Sequence, residues 1–173
     1  MFEQYLMDAS RLYEKSNNNI DEILYLRSVI FHLAGAVEAY VNDLPSAFEG
    51  SEKYSSFELD FLMDRTWQVV PQSATVKEIT RFNSIKDKLK FLARKHQRDG
   101  YVILDAPVWG KYIQFKDFRD KLVHPREDLE DVSIEEYRYE ASEGLKTIIE
   151  LLNLLSQSIY RKPLRKRLLE IVN

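Results

Sequence analysis

Between Ile20 and Leu44 the apolar residues fall at Ile23, Leu26, Ile30, Leu33, Val37, Tyr40 and Leu44, in alternating steps of three and four. That spacing draws one stripe along a long amphipathic helix. Asn17 to Asn19 supply N-cap side chains, Asp21 and Glu22 suit the positive end of the helix dipole, and Pro45 is expected to end the element. A shorter helix is expected ahead of it over residues 2–15. From Leu44 to Thr75 the periodicity weakens. There Ser55-Ser56-Phe57-Glu58 offers a capping box for one short helix around 56–67, and the rest reads as loop.

Thr75-Val76-Lys77-Glu78 has the form of a second capping box, and Ile79, Phe82, Ile85, Leu89 and Leu92 continue the periodicity to about Gln97. The opposite face of that expected helix carries Lys77, Arg81, Lys88 and Lys95, either a solvated face or a stripe that attracts polyanions. After a short β-prone run from Tyr101 to Leu104, Asp105 can cap a helix whose first turn tolerates Pro107. It should end near His124, because Pro125 disfavours helical geometry in the residue before it. Trp109, Tyr112 and Phe115 recur along it at core spacing. A third box, Ser133-Ile134-Glu135-Glu136, opens the longest helix, with Tyr137, Ala141, Leu145, Ile148, Leu152, Leu155 and Ile159 as its buried stripe. The pattern predicts an all-α chain: an antiparallel bundle of four to five main helices in a single domain over 1–173, with 161–173 a basic C-terminal helix or tail.

Composition agrees with helix. The 173 residues include only five Gly and five Pro, too few turn formers for a sandwich or barrel. The absence of cysteine excludes a disulfide framework, thiolate metal sites and cysteine nucleophiles. No uninterrupted apolar run approaches the roughly 18 residues of a membrane span, and the N-terminal residues do not resemble a signal peptide, so a cytoplasmic protein with no membrane partner is expected.

A net charge of −3 argues at first against a nucleic-acid partner, but its distribution changes that. Residues 1–64 hold 4 basic and 12 acidic side chains, 65–126 hold 14 and 6, 127–160 hold 2 and 9, and 161–173 hold 5 and 1. A basic block thus lies inside an acidic chain.

That block contains the one histidine with a chemically suggestive neighbourhood. His32, between Phe31 and Leu33, reads as a structural or partly exposed helix residue. His96, among Arg94, Lys95 and Arg98, reads as a surface residue at a helix end whose cationic neighbours disfavour protonation. His124 closes Arg119-Asp120-Lys121-Leu122-Val123-His124-Pro125-Arg126. Asp120, four residues earlier, can reach the imidazole and fix its tautomer. Arg119 and His124 are roughly 140° apart around an ideal helix and converge only if the last turn opens before Pro125. Converged, the guanidinium would neutralise the non-bridging oxygens of a phosphodiester while the imidazole moved a proton, the components of RNA cleavage through the ribose 2′-hydroxyl. Glu38 and Asn42, four apart on the long early helix, are either ordinary surface or face this motif. No P-loop, dinucleotide turn, nucleophile elbow or Glu-x-x-His pair competes with it.

The segment Arg119-Asp120-Lys121-Leu122-Val123-His124 resembles the Arg, polar residue, short spacer, His signature of the HEPN superfamily of small α-helical bundles. An early long helix containing Ala36-Val37-Glu38-Ala39-Tyr40-Val41-Asn42, a variable middle, a motif helix and a long closing helix resemble the order found in many prokaryotic members. The resemblance implies a homodimer with the two motif helices facing across a cleft. It further implies a metal-independent RNase site with no cofactor, with Arg119, Asp120 and His124 catalytic, and a cognate antitoxin or nucleotidyltransferase partner in toxin-like members. Lys121, Arg126, Glu38, Asn42, Lys88 and Lys95 are the expected RNA-contacting residues. Asp120 stands where Asn is frequent in the family and adds an anion beside the expected scissile phosphate. Two other readings stay open. One is a non-catalytic nucleotide-binding or interaction module in which Arg119, Asp120 and His124 form a structural network. The other is a DNA-binding regulator using Arg161, Lys162, Arg165, Lys166 and Arg167.

Overall fold

The computed structural model describes residues 1–17, 20–97, 103–124 and 132–172. Its first two helices, α1 (Phe2–Ser16) and α2 (Glu22–Phe48), form an antiparallel hairpin. Phe2 meets Tyr40 edge-on at 5.0 Å between ring centroids, and Tyr5 stands beside His32 at 5.8 Å. The expected stripe on α2 is buried from Leu26 to Leu44, whereas Ile23 is exposed. Pro45 does not end α2. It lies buried within the last turn, and the helix continues to Phe48, whose ring stacks on Tyr54 at 4.3 Å. One lost backbone hydrogen bond is offset by that buried aromatic contact. Asn17 is the C-cap of α1, and Asn18 and Asn19 lie outside the described residues. By length and composition α2 is apolar enough to cross a membrane, but here its apolar residues form the centre of the core.

The Ser55 capping box forms as expected, with Glu58 N–H donating to Ser55 Oγ at 3.3 Å and Ser55 N–H to Glu58 Oε2 at 2.9 Å. Its helix, α3 (Ser56–Leu62), stops before residue 67. The helix expected over 75–97 is corrected by a β-hairpin. β1 (Arg65–Val70) pairs antiparallel with β2 (Thr75–Thr80), in register from Arg65 opposite Thr80 to Val70 opposite Thr75. Seven of these twelve residues are Thr, Val or Ile and one is Trp, which suit a pleated ladder better than a helix. Thr75 is therefore a ladder residue and caps nothing. Asp64, in the left-handed region at φ 60, opens the hairpin, and its carbonyl accepts from Arg81 N–H at 2.8 Å to close it. Helix resumes only at α4 (Ile85–Lys95), capped by Ser84.

A short 3-10 turn (Ile103–Asp105) leads to α5 (Pro107–Val123). Pro107 takes its first turn as expected, but the N-cap is Ala106 and Asp105 makes no cap. α6 (Ile134–Tyr160) starts at the Ser133 cap, and α7 (Lys166–Leu169) ends the chain with a final 3-10 turn. The stripe on α6 is buried except at Ile159, which is half-buried.

α5 runs antiparallel to α6: Phe118 meets Tyr137, and Lys111 pairs with Glu143. α2 and α6 instead run in the same direction. Glu22 pairs with Arg138 at one end, Leu33 faces Gly144 in the middle, and Tyr40 shares a cavity with Ser156 and Tyr160 at the other. Short loops enforce antiparallel neighbours, and the long stretch between these two helices leaves them free to run parallel, contrary to the uniformly antiparallel expectation.

Candidate functional site

The motif helix α5 lies beside α2 and the start of α4, and a cleft of about 230 Å³ opens between them. Its apolar walls are Ala34, Val37, Tyr112 and Phe115; Ser84 and Ile85 of α4 form one rim. The polar rim is Glu38, Lys116, Arg119 and Asp120. Arg119 therefore reaches a space left between three helices, held there by the buried Tyr112, Phe115 and Phe118 of its own helix.

The guanidinium is held on two sides. Nη1 lies 3.2 Å from Asp120 Oδ1 and Nη2 lies 3.5 Å from Glu38 Oε1, while Nε is buried without a hydrogen-bond partner among the described residues. Asp120 Oδ2 accepts from Lys116 Nζ at 2.5 Å. Two cations and two carboxylates thus alternate around the cleft, and their charges balance. Of the two readings left open for Glu38, ordinary surface or a residue facing the motif, the 3.5 Å contact puts it against the motif arginine. Burial pushes the Tyr112 phenol well above its ordinary range, so it is neutral and keeps its proton to donate.

His124 is the C-cap of α5. Its backbone N–H still donates to Asp120 O at 3.0 Å, but with φ −118° and ψ 71° it departs from the helical path. The side chain is exposed and makes no hydrogen bond or ion pair among the described residues. The expected Asp120–His124 contact is thus corrected: both Asp120 oxygens are engaged, by Lys116 and Arg119, and no hydrogen bond joins Asp120 to the imidazole. His124 also does not line the cleft around Arg119.

Three of the expected RNA-contacting residues are placed otherwise. Lys88 is 1% exposed and ion-paired with Asp64 at 2.8 Å. Asn42 accepts from the same ammonium at 3.3 Å and does not face the motif. Lys95 is bound to Glu58 at 2.6 Å, which holds the Glu58 carboxyl down to about 2. Arg126 lies outside the described residues. Lys121 is exposed at the end of α5, where its charge acts on Glu140 of α6. With Lys77 in a strand, Arg81 beyond it and Lys88 buried, the expected basic stripe does not exist as one surface.

His96 is likewise a correction. It is 5% exposed, in contact with the Tyr54 hydroxyl and with Lys53 Nζ at 2.8 Å, and burial lowers it to about 4. His32 is half-buried, with Nδ1 donating to Ser28 O at 2.7 Å, a structural role. In the C-terminal segment Arg165 and Arg167 pair with Glu3 and Lys166 with Glu170, and all three side chains remain exposed.

Lys116 is the cleft residue that the motif reading missed. Its spacing of four from Asp120 was a readable signal for an ion pair on one helix face. No family model matches the chain, and neither the curated proteins nor the solved structures contain a significant match to it.

Proposed function

We propose that the chain is a metal-independent endoribonuclease of HEPN type, acting as a homodimer. The observation that carries this reading is the pairing of a cleft-rim arginine with an exposed, unengaged histidine five residues later, where α5 breaks. Arg119 exchanges a carboxylate contact for the non-bridging oxygens of the scissile phosphate. The long 3.5 Å contact to Glu38 is the weaker of its two and the first to yield. His124 takes the proton from the ribose 2′-hydroxyl, the 2′-oxygen attacks phosphorus, and the bond to the 5′-oxygen breaks. The His124 imidazolium returns a proton to that oxygen, leaving a 2′,3′-cyclic phosphate and a 5′-hydroxyl. Because Arg119 and His124 do not share one cleft within a protomer, the reading places His124 with the guanidinium of the second copy. Lys116 offsets Asp120, the anion that would otherwise oppose the phosphate.

A specific observation also favours the non-catalytic module: Arg119 is already ion-paired with Glu38 and Asp120, as in a structural network. Incubating RNA with wild type, Arg119→Ala and His124→Ala in EDTA separates the two. The nuclease reading expects cleavage by wild type alone, with all three proteins equally folded. Intact RNA in every lane, with a lowered melting temperature or lost dimerisation in the Arg119 variant, would support the module.

A further inference from the structure

The break of the expected 75–97 helix at residue 84 places a different set of cations in line. With α4 starting at Ile85, the buried side of the helix is Lys88, Leu89, Leu92 and Ala93. Arg94 is exposed on the outward side, and Lys86 and Lys90, at steps of four before it, are half-buried and run from the edge of the buried face towards that side. Successive members are about 6 Å apart along the axis, comparable with the phosphate repeat of an extended strand. Lys90 has only a loose partner, Asp87 at 3.8 Å, with both side chains well exposed. Lys86 and Arg94 have no ion pair among the described residues.

Two aromatic residues accompany this line. Phe82, just before the helix, is 87% exposed, a large apolar surface left in water. Phe91 is half-buried, its ring edge against Phe61, and with Lys90, Arg94 and Lys95 it lines an open groove of about 500 Å³. The line also begins at the candidate site, because Ser84 and Ile85 form a rim of the Arg119 cleft. Cations in series with exposed aromatic faces suit a strand whose bases are unpaired and free to stack; a duplex hides those faces.

We propose that Phe82, Lys86, Lys90, Phe91 and Arg94 form a track for single-stranded RNA that leads away from the Arg119 cleft along α4. The proposal rests on the ribonuclease reading for the end at which the track starts. It assigns α4 the flanking phosphates, so that it governs affinity for long substrates and leaves the chemical step to α5.

The test uses the full chain with a labelled single-stranded RNA oligonucleotide, a duplex of the same sequence and an acidic peptide, with affinity measured across a salt series. The triple variant Lys86→Ala, Lys90→Ala, Arg94→Ala should flatten the slope of log K against log salt by about 2, at about 0.7 per lost phosphate contact on a single strand. Phe82→Ala should lower affinity about fivefold or more with the slope unchanged. Phe82 and Arg94 are exposed, and Lys86 and Lys90 are half-buried with no close ion pair to lose, so melting temperatures should stay near wild type. A wild-type slope in the triple variant, or equal affinity of wild type for duplex or acidic peptide, overturns the track. If wild type cleaves RNA but the triple variant binds as before, the track alone fails. If the salt slope falls as expected but wild type does not cleave, the track stands and the ribonuclease reading fails.

Discussion

Lys88 offers the sharpest separation between a residue that serves the fold and one that serves a ligand. Its side chain is 1% exposed and its ammonium is shared by Asp64 at 2.8 Å and Asn42 at 3.3 Å. Asp64 also fixes the foot of the hairpin, accepting from Asn83 N–H at 2.8 Å. Lys88→Met keeps the apolar stem and deletes the charge, stranding the Asp64 carboxylate. Breaking a buried pair from one side costs about 3–5 kcal/mol. Asp64 retains 21% of its side-chain exposure and can be partly rehydrated, so the loss should fall at the lower end, about 3 kcal/mol. For a chain of this size that is a fall in melting temperature of about 6–12 °C. Denaturant unfolding should give the same loss, and Lys88→Met with Asp64→Asn should be less destabilised than the single variant because no orphan charge remains. A Lys88→Met protein within about 0.5 kcal/mol of wild type, with weakened RNA binding, would refute the structural assignment.

Three further outcomes rest on the same geometry. A Cβ on Gly144 would lie 2.7 Å from Phe115 Cε2 and 3.1 Å from Leu33 Cδ1, so Gly144→Ala should destabilise by about 1–2 kcal/mol, overpacking outweighing the gain in helix propensity; Gly110→Ala, with open space around it, should stabilise slightly, both read by thermal melting. His96, lowered to about 4 from an ordinary 6.5, is neutral when folded and takes up a proton on unfolding, so its contribution is full above pH 6.5 and lost as pH falls towards 4. Its imidazole followed by NMR should not titrate near 6.5, and His96→Gln should flatten that part of the stability profile. Glu58, held to about 2 by Lys95, contributes fully above its ordinary 4.5, and the stability difference from Glu58→Gln should shrink to nothing as pH falls through about 2.

The helices that carry the core were legible because a stripe at helical spacing leaves few alternatives, as on α2 and α6, and because the Ser55 and Ser133 caps mark their starts. The hairpin was not, since Thr75-Val76-Lys77-Glu78 satisfies the letter pattern of a capping box while its β-branched residues pair with Trp67 to Val70 across a turn. One wrong element broke up the expected basic stripe: Lys88 went from surface to core, and the line along α4 became Lys86, Lys90 and Arg94. At the motif, the placement of Arg119 opposite Glu38 was readable as two helices facing each other. The fate of Asp120 was not, because Lys116 and His124 are both four residues away and spacing alone does not decide between them.

The central claim is that Arg119 and His124 cleave RNA through the ribose 2′-hydroxyl. Its most direct measurement is end-group analysis of RNA incubated with the protein in EDTA, using one substrate with ribose throughout and one with 2′-deoxy at the cleaved nucleotide. Cleavage of the first to 2′,3′-cyclic phosphate and 5′-hydroxyl ends, lost in the deoxy substrate and in Arg119→Ala and His124→Ala, is the predicted result. Cleavage of the deoxy substrate, or equal cleavage by wild type and both variants, would contradict it.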